Sequence, residues 1–315
     1  MEHKHTKVAI LGVGRVGAAL AHQITAQRLC NELVLVDIDQ RKAWAEATDL
    51  QHSLGFGRKP MIVRSGSYYD CSDADICVIC VAAANNPTAT RLERIDHAAT
   101  MLGRIIPSVM ATEFSGIFLV VTNPVDLMTW LVQQLSDLPP ERVIGTGTTL
   151  DSARLRYYLA DALDVEIDRV DAFCMGEHGE SQMIPWSQVR IDGKPLIQAL
   201  QNDPSMLPDF DKDAISNTIA DITYQILDIK GMTNFATAAA AAEIIQAILD
   251  DTNRTMTVSA MLQGQYGAED VYLGVPAVLG ASGVQWVCVV PLTNEEREQL
   301  QKSIRTLQEY MVNIS

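Results

Sequence analysis

Strand and helix alternate through residues 1–146 of this 315-residue chain, and that alternation predicts an α/β protein whose N-terminal half is a doubly wound parallel sheet. Two further observations support the class. The strand-like runs of this half are continuously apolar, as in strands buried on both faces. The first of them opens directly into a glycine-rich turn. Residues 147–315 group their strands and helices in blocks, which predicts a separate α+β substrate domain.

Residues 8–11, Val-Ala-Ile-Leu, read as the first strand. Gly12, Gly14 and Gly17 follow in the spacing Gly-x-Gly-x-x-Gly, and residues 18–26 read as a helix. The first glycine permits the tight turn, the second lets backbone approach a pyrophosphate, and the third lets helix pack close on strand. The helix N-terminus then offers free N–H groups and a positive dipole end to the phosphates; Val16 belongs to the same cofactor-binding turn. A second strand over 33–36 ends in Asp37, about 20 residues past Gly17, where an acid meets the adenosine ribose hydroxyls and repels a 2′-phosphate. Strand, glycines, helix, strand and acid together make a Rossmann-type site that selects NAD over NADP.

Helices over 41–54, 91–113 and 125–135 and strands over 61–64, 75–81, 116–121 and 143–145 continue the alternation. Residues 82–91, small and Pro-containing, form a loop at the carboxyl end of a strand, where doubly wound folds bind ligands. Their composition suits a mobile lid. Thr122-Asn123-Pro124-Val125-Asp126 ends the next strand at the same edge, and Asn123–Pro124 is a candidate cis bond that would turn Asn123 towards the ligand.

In the second half a helix over 151–163 carries Asp151 and Arg154 three apart on one face; that spacing alone also describes a surface ion pair. Gly176-Glu177-His178-Gly179-Glu180-Ser181 lies between a strand-like run over 170–175 and an apolar segment over 183–189. A loop at a strand end is where binding and catalytic groups collect. Helices over 211–230 and 236–249, strands over 255–262, 271–279 and 285–289, and an amphipathic helix over 294–312 close the chain.

A net charge of −15 leaves no basic surface for nucleic acid or an anionic membrane, so an anionic ligand must be held by a few local arginines. No apolar run approaches the roughly 20 residues of a bilayer span. The polar residues 1–7 run straight into the first strand, unlike a signal peptide. Six cysteines scattered through such a chain fit reduced thiols in the cytoplasm. Cys77 and Cys80 have Cys-x-x-Cys spacing, but on a strand they point to opposite faces and share no metal. His3, His5, His22, His52 and His97 show no metal-ligand spacing either.

Taken in order, Gly12, Gly14 and Gly17, Asp37, Arg91, Asn123-Pro124, Asp151-x-x-Arg154, Gly176-Glu177-His178-Gly179 and Lys230-Gly231-x-Thr233 resemble the L-2-hydroxyacid dehydrogenases of the lactate/malate dehydrogenase family. The resemblance covers essentially the whole chain. It implies reversible hydride transfer between NADH and a small 2-oxo acid. It implies His178 as proton donor, with Asp151 fixing its tautomer and favouring the imidazolium. Arg154 would clamp the substrate carboxylate with its guanidinium fork. Arg91, on the lid, would polarise the carbonyl as negative charge develops. Asn123 would contact substrate oxygen or cofactor, Thr233 the substrate. It also implies a homotetramer.

In this family the lid position aligned with Asn85 sorts substrates, glutamine being typical of lactate enzymes and arginine of malate enzymes. Asn85 is neither, and a second carboxylate would lack its partner. Asn86-Pro87-Thr88 and the surroundings of His178 (Glu180-Ser181-Gln182 and Trp186-Ser187) are similar to L-2-hydroxyisocaproate dehydrogenase. The small Ala236, Thr237 and Ala238 leave room for a branched side chain. The expected substrate is therefore a medium-chain or branched 2-oxo acid such as 2-oxoisocaproate, with pyruvate, and hence L-lactate dehydrogenase, as the alternative.

Arg156 matches an arginine that binds fructose 1,6-bisphosphate in some bacterial lactate dehydrogenases. Asp171 stands where its histidine partner would be, and a carboxylate repels phosphate, so no activation by the sugar bisphosphate is expected. NAD-dependent glycosidases share the fold but use a metal held by Cys and His, and His178 has no cysteine at suitable spacing. A non-catalytic NAD-binding regulator would have no need of every chemical group in place.

Overall fold

The computed structural model describes residues 5–56, 60–82 and 91–312. The lid expectation, with Asn85, lies outside those residues, as does the side chain of Arg91. The N-terminal half runs β1 (Lys7–Leu11), α1 (Arg15–Gln27), β2 (Glu32–Val36), α2 (Gln40–Ser53), β3 (Ile62–Ser65), β4 (Ile76–Ile79), α3 (Arg91–Met110), β5 (Ile117–Val120), α4 (Val125–Ser136) and β6 (Val143–Gly145). The C-terminal half runs α5 (Thr149–Leu163), β7 (Val170–Asp171), β8 (Arg190–Ile191), β9 (Lys194–Pro195), α6 (Leu196–Asn202), α7 (Lys212–Lys230), α8 (Phe235–Leu249), β10 (Arg254–Gln263), β11 (Glu269–Gly280), β12 (Gly283–Val287) and α9 (Asn294–Val312).

The apolar runs of the first half become strands buried along both faces. Residues alternate between two cores: Val8 and Ile10 of β1 pack with α1, α2 and α8, while Ala9 and Leu11 pack with α3 and α4. The strands pair in parallel in the order β3-β2-β1-β4-β5-β6. The order reverses beside β1, and such a switch point opens a crevice at the carboxyl ends of the strands. Gly12 and Gly14 of the turn after β1 and Cys80 to Ala82 after β4 line it together. Cys77 and Cys80 fall in different cores, on opposite sheet faces, and all six cysteines are free thiols.

The structure departs from the sequence reading in three places. Strands β10, β11 and β12 build no sheet of their own. They continue the first sheet as antiparallel strands through the pair Ser259 and Gly145, giving nine strands among the described residues. The strand expected over 170–175 forms only as β7, because the chain beyond it turns to meet other partners: Met175 bridges Met183 and Gly176 bridges Gly274. The first helix begins at Arg15, inside the glycine motif, and α5 begins two residues before Asp151. Both shifts put functional residues in a first helical turn. A three-stranded sheet of β7, β8 and β9 packs with α5, α6 and α7 around the smallest core cluster. No helix among the described residues is long and apolar enough to cross a membrane.

Candidate active site

The glycine motif is built as its spacing requires. Gly12 has φ +96°, and a Cβ there would meet the Cys80 carbonyl at 3.0 Å. A Cβ on Gly17 would stand 2.0 Å from the Gly12 carbonyl oxygen, so only glycine lets α1 approach β1 this closely. A Cβ on Gly14 would meet nothing within 4 Å, which leaves that face open to a ligand. Gly14 is also the N-cap of α1 and bears no side chain, so the first-turn amides of Arg15 and Val16 remain directed at the crevice. Asp37, just past β2, accepts the Val13 N–H at 2.8 Å and the Asp39 N–H at 3.0 Å. Its carboxylate thus braces the turn whose ligand it would also hold.

A cleft of about 810 Å³ runs along this edge, with Gly14, Val16, Asp37, Ile38 and Arg104 in its wall. Ile38 is fully exposed, an apolar surface suited to a flat aromatic base. The open Gly14, the free first-turn amides and the acid on the ribose side fit an adenine dinucleotide. Lys42 and Arg15 also line the cleft and can offset pyrophosphate charge. Arg15 reaches Met232 in the turn between α7 and α8, at 3.7 Å. Met232 lines the same cleft, and Thr233, the next residue, is half-buried.

The second group of residues meets where α4, α5 and the Gly176–Ser181 segment converge. The Nδ1 of His178 lies 2.6 Å from Asp151 Oδ2. Arg154 donates from Nη1 to the other oxygen of that carboxylate, Oδ1, at 3.2 Å, and to Thr223 Oγ1 of α7 at 2.6 Å. Asp151 is 2% exposed. Burial alone would push its carboxyl up; the His178 charge and hydrogen bond, with Arg154, outweigh that and hold it below the usual carboxylate range. Its place in the first turn of α5 favours the same charge. Burial works against the imidazolium of His178, but the Asp151 carboxylate beside it, helped by Asp126, lifts the histidine to about 9. Nδ1 is thereby committed to Asp151, and Nε2 is the nitrogen left to exchange a proton with a ligand.

The loop carrying His178 is fastened on its other side. Glu177 is buried; its N–H donates to Ser303 Oγ of α9 at 2.5 Å, and its carboxylate accepts from Ser181 at 2.5 Å. Asn123 is exposed at the end of β5, and its bond to Pro124 is cis. Thr122 ties that end to β4 by donating to the Val81 carbonyl at 2.7 Å. Three residues on, Asp126 accepts the backbone N–H of His178 at 2.7 Å, which brings the Asn123 turn against the histidine loop.

The structure thus gathers His178, Asp151 and Arg154 into one hydrogen-bonded group. It leaves Asn123 exposed past the end of β5 and Thr233 next to Met232, which lines the crevice. Sequence reasoning missed Thr223, Ser303 and Asp126 as partners of the site. Only Asp126 left a trace, as an acid between the core residues Val125 and Leu127 at the head of an otherwise apolar helix.

A dinucleotide-type crevice, a histidine charged beside a buried carboxylate and a partly buried arginine on the same carboxylate are the groups of a nicotinamide-dependent oxidoreductase. Residues 6–145 match the lactate/malate dehydrogenase NAD-binding domain, and residues 148–314 match the lactate/malate dehydrogenase alpha/beta C-terminal domain. The chain is 40% identical over 312 residues to L-lactate dehydrogenase 3 of Bacillus cereus, covering 99% of each chain. It is 40% identical over 312 residues to L-lactate dehydrogenase of Staphylococcus saprophyticus, covering 99% of this chain and 98% of that one. Among solved structures, the ligand-bound minor L-lactate dehydrogenase of Enterococcus mundtii superposes with a TM-score of 0.95 at 35% identity over 98% of each chain. The chain belongs to the lactate/malate dehydrogenase family and is an NAD-dependent 2-hydroxyacid dehydrogenase.

Proposed function

We propose that the protein interconverts NADH plus a 2-oxo acid with NAD plus the L-2-hydroxy acid, and that its preferred substrate is medium-chain or branched. The observation that carries the roles is the Asp151 carboxylate, which holds the His178 ring on one oxygen and Arg154 on the other. His178 donates a proton to the carbonyl oxygen, and Asp151 keeps its ring oriented and charged. Arg154 binds the substrate carboxylate, with Arg91 and Asn123 at the carbonyl oxygen and Thr233 and Asn85 at the remaining substrate contacts. Bound NADH supplies the hydride that the protein itself cannot. Gly12, Gly14, Val16, Gly17 and Asp37 hold the dinucleotide, with the boundary between the cofactor and substrate halves at residue 146.

Ala236 and Thr237 support the larger substrate, because they stand exposed and half-exposed in the first turn of α8, just past Thr233. Ala238, by contrast, is fully buried in the core and leaves no room for a branched side chain. Pyruvate is the second reading, favoured by relatives named L-lactate dehydrogenase at 40% identity. NADH oxidation followed with pyruvate, oxaloacetate and 2-oxoisocaproate separates the two. A higher kcat/KM for 2-oxoisocaproate supports the first reading, and a higher value for pyruvate replaces it with the second. Fructose 1,6-bisphosphate is expected to leave these rates unchanged. Arg156 spends Nη1 on the Ala172 carbonyl and already feels the Asp171 carboxylate, which a phosphate would have to displace.

A further inference from the structure

Asp126 is a carboxylate that the chemistry above leaves without a task. It lies in the first turn of α4 and is 2% exposed. Its Oδ2 accepts the His178 backbone N–H at 2.7 Å, from a residue 52 positions away. Its Oδ1 and the Ser259 hydroxyl of β10 are both buried without a hydrogen bond of normal geometry, yet the hydroxyl lies near enough to favour the ionised acid. An asparagine would accept the same N–H with the same shape and a far smaller desolvation cost. What the carboxylate adds is charge, and the charge sits behind the histidine.

We propose that Asp126 is a positioning residue for His178, anchoring its backbone and supplying a second negative charge that keeps the imidazole protonated for the incoming oxo acid. The inference rests on the reading of His178 as proton donor. The charged and titratable groups facing the pair among the described residues are Asp151 and Arg154 of α5 and Glu177 of the loop itself; β10 adds the Ser259 hydroxyl, and α9 adds the Ser303 hydroxyl to Glu177. Burial pushes the Asp126 carboxyl up to about 6, opposed by Ser259 and by the amide and charge of His178. Asp126 in turn is one of the groups that raise His178. At neutral pH both charges are therefore present together, and the second carboxylate reinforces the first.

The test is Asp126→Asn in the full-length enzyme with NADH, reading kcat/KM for 2-oxo acid reduction from about pH 5.5 to about pH 10. The alkaline limb, where His178 loses its proton, is expected to move down by about half a pH unit or more, roughly a threefold loss on that limb. NADH affinity, read by fluorescence titration, is expected to stay unchanged. An alkaline limb that does not move, with NADH binding intact, overturns the proposal. If Asp126→Asn does not fold, Asp126→Ser, which also removes the charge, is read instead on the same alkaline limb, and a limb that stays in place overturns the proposal equally. His178→Asn separates the two readings. Activity retained there removes the proton-donor role and this inference with it, whereas an inactive His178→Asn beside an unchanged Asp126→Asn profile sinks this inference alone.

Discussion

The Asp151 carboxylate divides its two oxygens between a histidine and an arginine, and that division decides what each can do. Committed through Nδ1, His178 keeps Nε2 for the ligand, while Arg154 is held at one nitrogen by Asp151 and Thr223. A lysine could not replace that arginine, since it lacks the planar fork that matches a carboxylate. The proton affinity of His178 follows from the same contact. Burial disfavours its charge, the Asp151 charge more than compensates, and the group rises from 6.5 to about 9. The sign follows for folding as well: His178 contributes stability that is complete below pH 6.5 and is lost as pH rises through about 9. On the proposed role of His178 as proton donor, reduction of the oxo acid needs the protonated ring, so Asp151→Asn, which removes the largest raising cause, should carry the alkaline limb of kcat/KM back towards the ordinary histidine range. We expect a loss of roughly 100-fold at neutral pH, where the wild-type ring is still charged and an amide also favours the wrong tautomer. A stopped-flow or steady-state profile of the variant reads both effects. An unshifted limb would mean that another group delivers the proton.

At the scale of elements, the turn from β1 into α1 separates two jobs that glycine performs. Gly17 allows α1 and β1 to approach, since its Cβ would overlap the Gly12 carbonyl oxygen at 2.0 Å, whereas Gly14 faces open space. Gly17→Ala should therefore lower the melting temperature and weaken NADH binding together, because the helix must be pushed off the strand. Gly14→Ala should leave the melting temperature close to wild type and still weaken NADH about tenfold or more, the methyl group meeting only the dinucleotide. Calorimetry beside fluorescence titration distinguishes them, and equal effects on stability would show that the two glycines share one packing role. This turn, its helix and Asp37 were legible in the sequence because their chemistry is local, a few residues of fixed spacing with one acid beyond. The partners of the histidine loop and of Arg154 were not. Asp126, Ser303 and Thr223 reach their partners across 52, 126 and 69 positions, and no spacing within one element encodes such pairs. The strand expected over 170–175 failed for a related reason: an apolar run fixes burial, while the pairing of Met175 with Met183 and of Gly176 with Gly274 fixes the path.

For the whole molecule, the shared sheet changes what the two halves can do independently. Separate domains would each close their own core. Here β10 borders β6 through Ser259 and Gly145, α8 packs on α1, and one core cluster includes Val8 and Ile10 together with Ala241, Ile245 and Leu273. The active site crosses the same seam, since Asp126 belongs to the first half and His178 to the second. Opening the halves would strip apolar area from both and break the hydrogen bond that seats the histidine loop, so neither half should unfold ahead of the other. Ile245, fully buried in α8, tests this from the side remote in sequence from the cofactor turn. Truncating it to alanine should cost about 2–5 kcal/mol. In a urea titration that cost should shift the loss of NADH binding and the fluorescence of Trp186, which reports the small C-terminal cluster, by the same amount. Coincident midpoints mean that the cofactor crevice and the substrate half stand or fall as one cooperative unit. A Trp186 signal that unfolds first while NADH still binds would mean that the seam carries little of the stability, and that the small cluster of α5, α6 and α7 opens on its own.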